Sequence, residues 1–345
     1  MLEDRVRNLV LNSTIGDCLK FMENEDYNKY KFYHNNQLCI SYITQQMIIT
    51  IKSLMPSKED VSVNVDIQRF INELKLWREY RQSANNSLLK YDHPQCYWKE
   101  YDDSACARAL PIVIVNNDFK IIINEIIKTT LQVTGNIISL LETISIARIF
   151  YFIANKKELD YEEIIETIKQ DIIYLSIKDI IEKNQFVCDL NTYDNKYIIV
   201  FERSRIELLN VLNGTNSEAH FKVLYKCLEI IKSGNNSFED TQPDFIYYAI
   251  ISGMSGQTLQ NEFVNKAFIN NLISYMLKLR KGRISPEQLE IKKNLYPEVY
   301  NFKERQEFYH SLLNKCIVIS KSENRNGIKM LIQNKFAKYG FCKEF

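Results

Sequence analysis

Glycine and proline are scarce, with 9 Gly and 6 Pro in 345 residues. Sandwiches, barrels and propellers draw heavily on both for their turns, so such architectures are not expected. An excess of charge of either sign is also missing: 44 Lys+Arg face 43 Asp+Glu, a formal net charge of +1. That balance lacks the basic footprint of a dedicated nucleic-acid binder, and nucleic acid is not expected as a partner. No run of 18 apolar residues occurs, and the opening Met1-Leu2-Glu3-Asp4 has mixed charges and no signal-like stretch, so neither a membrane span nor export is expected. The eight cysteines are dispersed without a C-x-x-C pair and read as reduced, buried small hydrophobes, which points to a cytoplasmic location. Of the four histidines, only His93 stands at metal-ligand spacing from a cysteine, Cys96, and no second ligand pair follows. Gly-rich phosphate loops, G-x-S-x-G and H-E-x-x-H are all absent.

Helical periodicity is what the chain does have. Val6, Leu9, Val10 and Ile15 form one apolar face, and Met47, Ile48, Ile51 and Leu54 repeat the pattern over Tyr42 to Leu54. Asn117 or Asp118 can cap a helix carrying Ile121, Ile123, Ile126 and Ile127. Asn136 to Ala154 is apolar nearly all round, as a central buried helix would be. Further helices are expected over Glu162–Asp171, Ser204–Leu212, Ala219–Lys232, Asp244–Ser252 and Thr258–Arg280. Ser285-Pro286-Glu287-Gln288 has the form of another helix start. Only Tyr197–Phe201 looks strand-like. The expectation is an all-α protein, with a main helical domain over residues 1–281 and a packed helical extension over 282–345.

Individual residues disclose little chemistry. Asp102-Asp103 is an acidic pair beside an apolar run, and Glu162-Glu163 reads as a solvated helix face. Thr44-Gln45-Gln46 and Ser255-Gly256-Gln257-Thr258 are small polar clusters in apolar helical surroundings.

The order of several segments is more informative. Ile15-Gly16-Asp17-Cys18-Leu19 is similar to a Gly-Asp-Ala/Cys-Leu-Gly stretch, and Ser41-Tyr42-Ile43-Thr44-Gln45-Gln46 to a Tyr-Thr-Asp-Asp-Thr stretch. Trp77 follows. Asp103-Ser104-Ala105-Cys106-Ala107-Arg108-Ala109-Leu110-Pro111 is similar to Asn-Gly-Ala-x-Met-Arg-x-Ala-Pro. Thr134 precedes the long apolar helix, and Ser237-Phe238-Glu239 with Ala249 to Thr258 tracks Phe-Glu-Glu and then Gly-Gly-Asp-Thr-Asp-Thr. In this order the segments resemble the ADP-ribosylglycohydrolase family, over about residues 5–280. The resemblance implies an all-α, multi-helix orthogonal bundle in which two magnesium ions are held by the acids of the second and last motifs.

Here those acids fall on Thr44 and Gln45 and on Ser255 and Gln257, and only Thr258 is retained. Neutral oxygens bind a hard divalent cation far more weakly than carboxylates do, so the binuclear magnesium site is expected to be lost and no cofactor is expected. Lys20 stands where the family has Gly, and Met254 where it has the second Gly of the last motif. The family's catalytic Glu falls ambiguously on Glu23 or Asn24. Asp17 and Glu23 are the candidate catalytic acids, while Ser104, Arg108 and Gly253 are candidate ligand contacts around a degenerate cleft of Thr44, Gln45, Gln46, Ser255, Gln257 and Thr258.

Three functional readings follow. The first is a catalytically inactive pseudoenzyme that acts by binding an ADP-ribosylated target, ADP-ribose or a nucleotide, or a protein partner. The second is a metal-independent ADP-ribosyl hydrolase using carboxylates among Asp17, Glu23, Asp102 and Asp103. The third is an unrelated helical interaction or effector protein.

Overall fold

The computed structural model describes residues 2–24, 38–81, 96–156, 159–184, 196–214, 220–291, 294–325 and 327–345. Helix α1 (Leu2–Met22) leads to α2 (Tyr42–Lys52), a short antiparallel ribbon of β1 (Leu54–Pro56) and β2 (Val63–Val65), and α3 (Ile67–Tyr80). Then come α4 (Ala105–Val115), α5 (Phe119–Val133), α6 (Ile137–Asn155), α7 (Tyr161–Ile173) and α8 (Ile177–Lys183). Four more helices follow: α9 (Lys196–Leu212), α10 (Lys222–Ser233), α11 (Phe245–Ser255) and α12 (Lys266–Arg280).

Polar residues start these helices as sequence chemistry dictates. The side chains of Asp118, Asn136 and Asp160 accept from backbone N–H groups in the first turns of α5, α6 and α7. Helices α10 and α11 end at Gly234 and Gly256, both left-handed, with φ of 67° and 66°. Helix α6 lies at the centre, touching α4, α5, α7, α10, α11 and α1. It is the one helix among the described residues long and apolar enough to cross a membrane, and it is 83% buried inside the protein. Its all-round apolarity therefore serves a core helix.

The expectation of an all-α fold is wrong, and its error is concentrated after residue 282. Four strands, β3 (Glu307–His310), β4 (Asn314–Asn324), β5 (Gly327–Asn334) and β6 (Lys338–Glu344), form an antiparallel meander in the order β3-β4-β5-β6. The protein is mixed, with two small antiparallel sheets beside many helices. Along β5 the buried positions Ile328, Met330, Ile332 and Asn334 recur every second residue, as one half-buried sheet face requires. Ser285-Pro286-Glu287-Gln288 yields only a 3₁₀ turn, Pro286–Gln288, and the Ser285 side chain does not cap it. The strand-like Tyr197–Phe201 lies within α9, where Phe201, Ser204, Leu208 and Val211 are buried at helical spacing. The expected start of α12 at Thr258 is also eight residues early, since α12 begins at Lys266. Ala219, the expected start of the helix ending at Lys232, and His93 of the His93/Cys96 pair lie outside the described residues.

One cluster of buried apolar side chains runs from α1 through α6 and α12 into the sheet, taking in Val318, Ile332 and Phe341. The sheet meets α3 through Tyr80, whose ring lies 5.2 Å from that of Tyr339 and 5.5 Å from that of Phe341.

Candidate functional site

Helices α1 and α11 pack closely along their lengths, and Gly16 makes this approach possible. A Cβ there would collide with the backbone oxygen of Asp244 and lie 2.8 Å from the Tyr248 ring. The contact brings Lys20, one turn further along α1, to Asp244 at the start of α11, with Nζ 2.7 Å from Oδ2. The other carboxylate oxygen of Asp244 caps α11, accepting from the Ile246 N–H at 2.8 Å.

Asp17 organises the start of α2. It accepts from the Ser41 backbone N–H at 2.9 Å, the Thr44 hydroxyl at 2.6 Å and the Ser41 hydroxyl. Ser41 in turn caps α2 by accepting from the Ile43 N–H at 3.0 Å. Complete burial pushes the Asp17 carboxyl above its usual range, while the hydrogen bonds from Ser41 and Thr44 pull it back. The next residue of α2, Tyr42, donates its hydroxyl to Asp103. Asp103 is exposed, yet the protein packed around its carboxyl displaces enough water to push it up to about 6; the Tyr42 hydroxyl opposes the shift and the charge of Asp102 adds to it. Tyr101 donates to Glu142 at 2.5 Å, and Glu142 also accepts from the Leu224 N–H at 2.9 Å, which ties this loop to α10.

Asp17, Lys20, Tyr42, Tyr101, Asp103 and Asp244 all line one cavity of about 160 Å³. Its apolar walls include Phe21 and Phe245. Three carboxyl groups and one ammonium thus face a small space between aromatic rings. Such a space can accept hydroxyls or a cation, and Asp103 can exchange a proton near neutral pH.

The candidate positions from the sequence divide among several places. Thr44 is the hydroxyl that donates to Asp17. Gln45 accepts from the Trp77 indole N–H at 2.8 Å and lines a separate small cavity against the sheet, beside Tyr80 and Tyr339. Gln46 is fully buried, and its side-chain amide makes no hydrogen bond. The loop after α11 is stitched to α1 instead. Asn12 donates to the Gln257 carbonyl at 2.7 Å and accepts from the Leu259 N–H at 2.9 Å, Asn8 donates to the Gly256 carbonyl, and Thr258 donates to Asn8. Ser255 accepts from the Gln257 N–H at 3.2 Å.

Arg108 is buried and turned back on its own helix end, donating to Asp102 and, at 2.8 Å, to Ser104. Asp102 also accepts from the Ser104 hydroxyl at 2.6 Å. These groups lock the start of α4, while Ala107 supplies the cavity wall. Gly253 permits α11 to pack on α6, since a Cβ there would lie 2.6 Å from the Ile153 side chain. Glu23 is exposed just beyond α1. Tyr101 and Asp244 carried no signal as cavity residues, because residues far apart in sequence share the cavity only through packing.

The donor set does not fit a binuclear magnesium centre. The Thr44 hydroxyl and the Gln45 amide oxygen are already engaged with Asp17 and Trp77, Gln46 is shut into the core, the Thr258 hydroxyl is held by Asn8, and Ser255 and Gln257 offer only a hydroxyl and an exposed amide. Among the described residues no group of three or more His, Cys, Asp or Glu side chains is placed to hold a metal ion. No family model matches the chain, and no curated protein matches it in sequence.

Proposed function

We propose that this protein is a cytoplasmic, ADP-ribosylglycohydrolase-like pseudoenzyme that acts by binding a protein partner, ADP-ribosylated or unmodified. One observation carries the reading: the positions matched to the family's four metal-binding acids all hold neutral residues, and those on α2, Thr44 and Gln45, are committed to the protein's own structure. Gln45 is held by Trp77, Thr44 by Asp17, and the Ser255–Thr258 loop by Asn8 and Asn12. Recreating a metal site would require breaking these bonds, and each buried polar group left unpaired costs about 1–3 kcal/mol. The seven described cysteines are all free, in keeping with a reducing compartment.

The test is calorimetric titration with ADP-ribose, with and without magnesium, alongside an assay for ADP-ribose release from modified protein. No release is expected under either condition. Magnesium-independent binding assigns an ADP-ribosylated target, and absence of both binding and release assigns an unmodified protein. Magnesium-dependent release overturns the proposal.

The metal-independent hydrolase is narrowed by the same geometry. Asp17 is enclosed by its donors, Asp102 is paired with Arg108, and Glu23 does not line the cavity. Asp103 lines the cavity with a carboxyl raised to about 6, as a general acid requires. Metal-independent release that disappears in Asp103→Asn would replace the binding reading with this one.

A further inference from the structure

The cavity at the end of α1 already contains a cation. The Lys20 ammonium sits 2.7 Å from Asp244; partial burial works against its charge, and the charges of Asp244, Asp103 and Asp17 together outweigh that and hold it protonated. The side chain that brings it there is 58% exposed, against 15% for Asp244, so its terminal group reaches in from solvent. Such a half-exposed ion pair is weakly held and readily exchanged. Among the described lining residues, three carboxyl groups face a single ammonium. The rings of Phe21, Tyr42, Tyr101 and Phe245 line the same space, and aromatic faces attract cations. A phosphate entering there would meet the carboxyl groups instead.

Size narrows the ligand further. The cavity's 160 Å³ has room for several water molecules. That is room for an alkyl stem of a few atoms with its charged end. The polar hydrogens of both tyrosine hydroxyls are directed at carboxylates, Tyr42 to Asp103 and Tyr101 to Glu142, which fixes the rings as walls.

We infer that this cavity binds a primary alkylammonium group, and that Lys20 occupies it as a tethered stand-in until a ligand of the same chemistry displaces it. The group belongs either to a free diamine or to a lysine side chain of a partner protein. The inference rests on reading the chain as a binding protein, and it names the chemistry of that protein's pocket.

The test compares wild type with Lys20→Met, titrated with butane-1,4-diamine and with Nα-acetyl-lysine methylamide. Removing the internal competitor raises the fraction of binding-competent pockets, so Lys20→Met is expected to bind the diamine about tenfold more tightly than wild type. Adding Asp103→Asn or Asp244→Asn is expected to weaken that binding; asparagine at position 244 still caps α11. Equal affinity for the lysine amide assigns a protein side chain, and preference for the diamine assigns a free amine. A folded Lys20→Met protein, verified by circular dichroism, that binds neither amine more tightly than wild type overturns the inference. Lys20→Gln, polar at an exposed position, serves if the methionine variant does not fold, and the same result there overturns it equally. ADP-ribose release tests the pseudoenzyme reading separately, so the two failures are distinguishable.

Discussion

Arg108 and Asp102 form an ion pair in which neither side chain is more than 1% exposed. A buried charge stripped of its partner is costly, so Arg108→Met is expected to lower stability by about 3–5 kcal/mol in urea unfolding. Adding Asp102→Asn to that variant is expected to restore much of the loss, because no uncompensated charge remains. Asp103, the next residue, gives a pH dependence instead. Its folded-state value of about 6 lies above the usual 3.8, so the native protein holds this proton more tightly than the unfolded chain. The resulting stability is complete below about pH 4 and is lost as the pH rises towards 6. Asp103→Asn is therefore expected to gain thermal stability relative to wild type from pH 4 to pH 7, measured as the difference in Tm. The identities of these residues stood out in the sequence, but their roles did not. Asp102 and Asp103 are neighbours in the chain, yet one is locked to Arg108 and the other faces the cavity, a division made by the direction of two side chains.

At the scale of elements, α1 and α11 approach so closely because position 16 has no side chain. Gly16→Ala would force a methyl group against the Asp244 carbonyl and the Tyr248 ring, and Lys20 and Asp244 would be carried apart. Overpacking of this kind costs about 1–3 kcal/mol, expected as a lower urea midpoint with little change in slope. Helices were largely legible because their caps and apolar spacing are local: Asp118, Asn136 and Asp244 each begin the helix their position announces. The C-terminal strands were misread because the helix-start form of Ser285-Pro286-Glu287-Gln288 was extended over the segment that follows it. The stronger signal was the period of two through Ile328, Met330 and Ile332, introduced in the sequence by the hairpin-type Asn-Gly dipeptide at 326–327. The scarcity of glycine and proline argued against turn-rich architecture, but a single four-stranded meander needs few turns.

Over the whole molecule, the continuous apolar core couples the sheet to the helices. Phe341 is 1% exposed and packs against both Tyr80 and Tyr300. Phe341→Ala is expected to cost about 3–5 kcal/mol. Because the core is shared, circular dichroism of the helices and fluorescence of buried Trp77 should lose their signals together on heating. Separate transitions would show that the sheet unfolds on its own. The cavity belongs to this scale as well, since α1, α2, the loop before α4 and the start of α11 each contribute one wall. Its location was illegible because no local pattern records which helix ends will meet.

The contact between α3 and β6 joins an early part of the chain to a late one. At about 5–20 residues per second, Tyr80 emerges from the ribosome on the order of tens of seconds before Phe341 has been made. Throughout that interval the face of α3 destined for the sheet lacks its cover, so the growing chain presents a sticky aromatic surface to whatever holds nascent proteins in the cell.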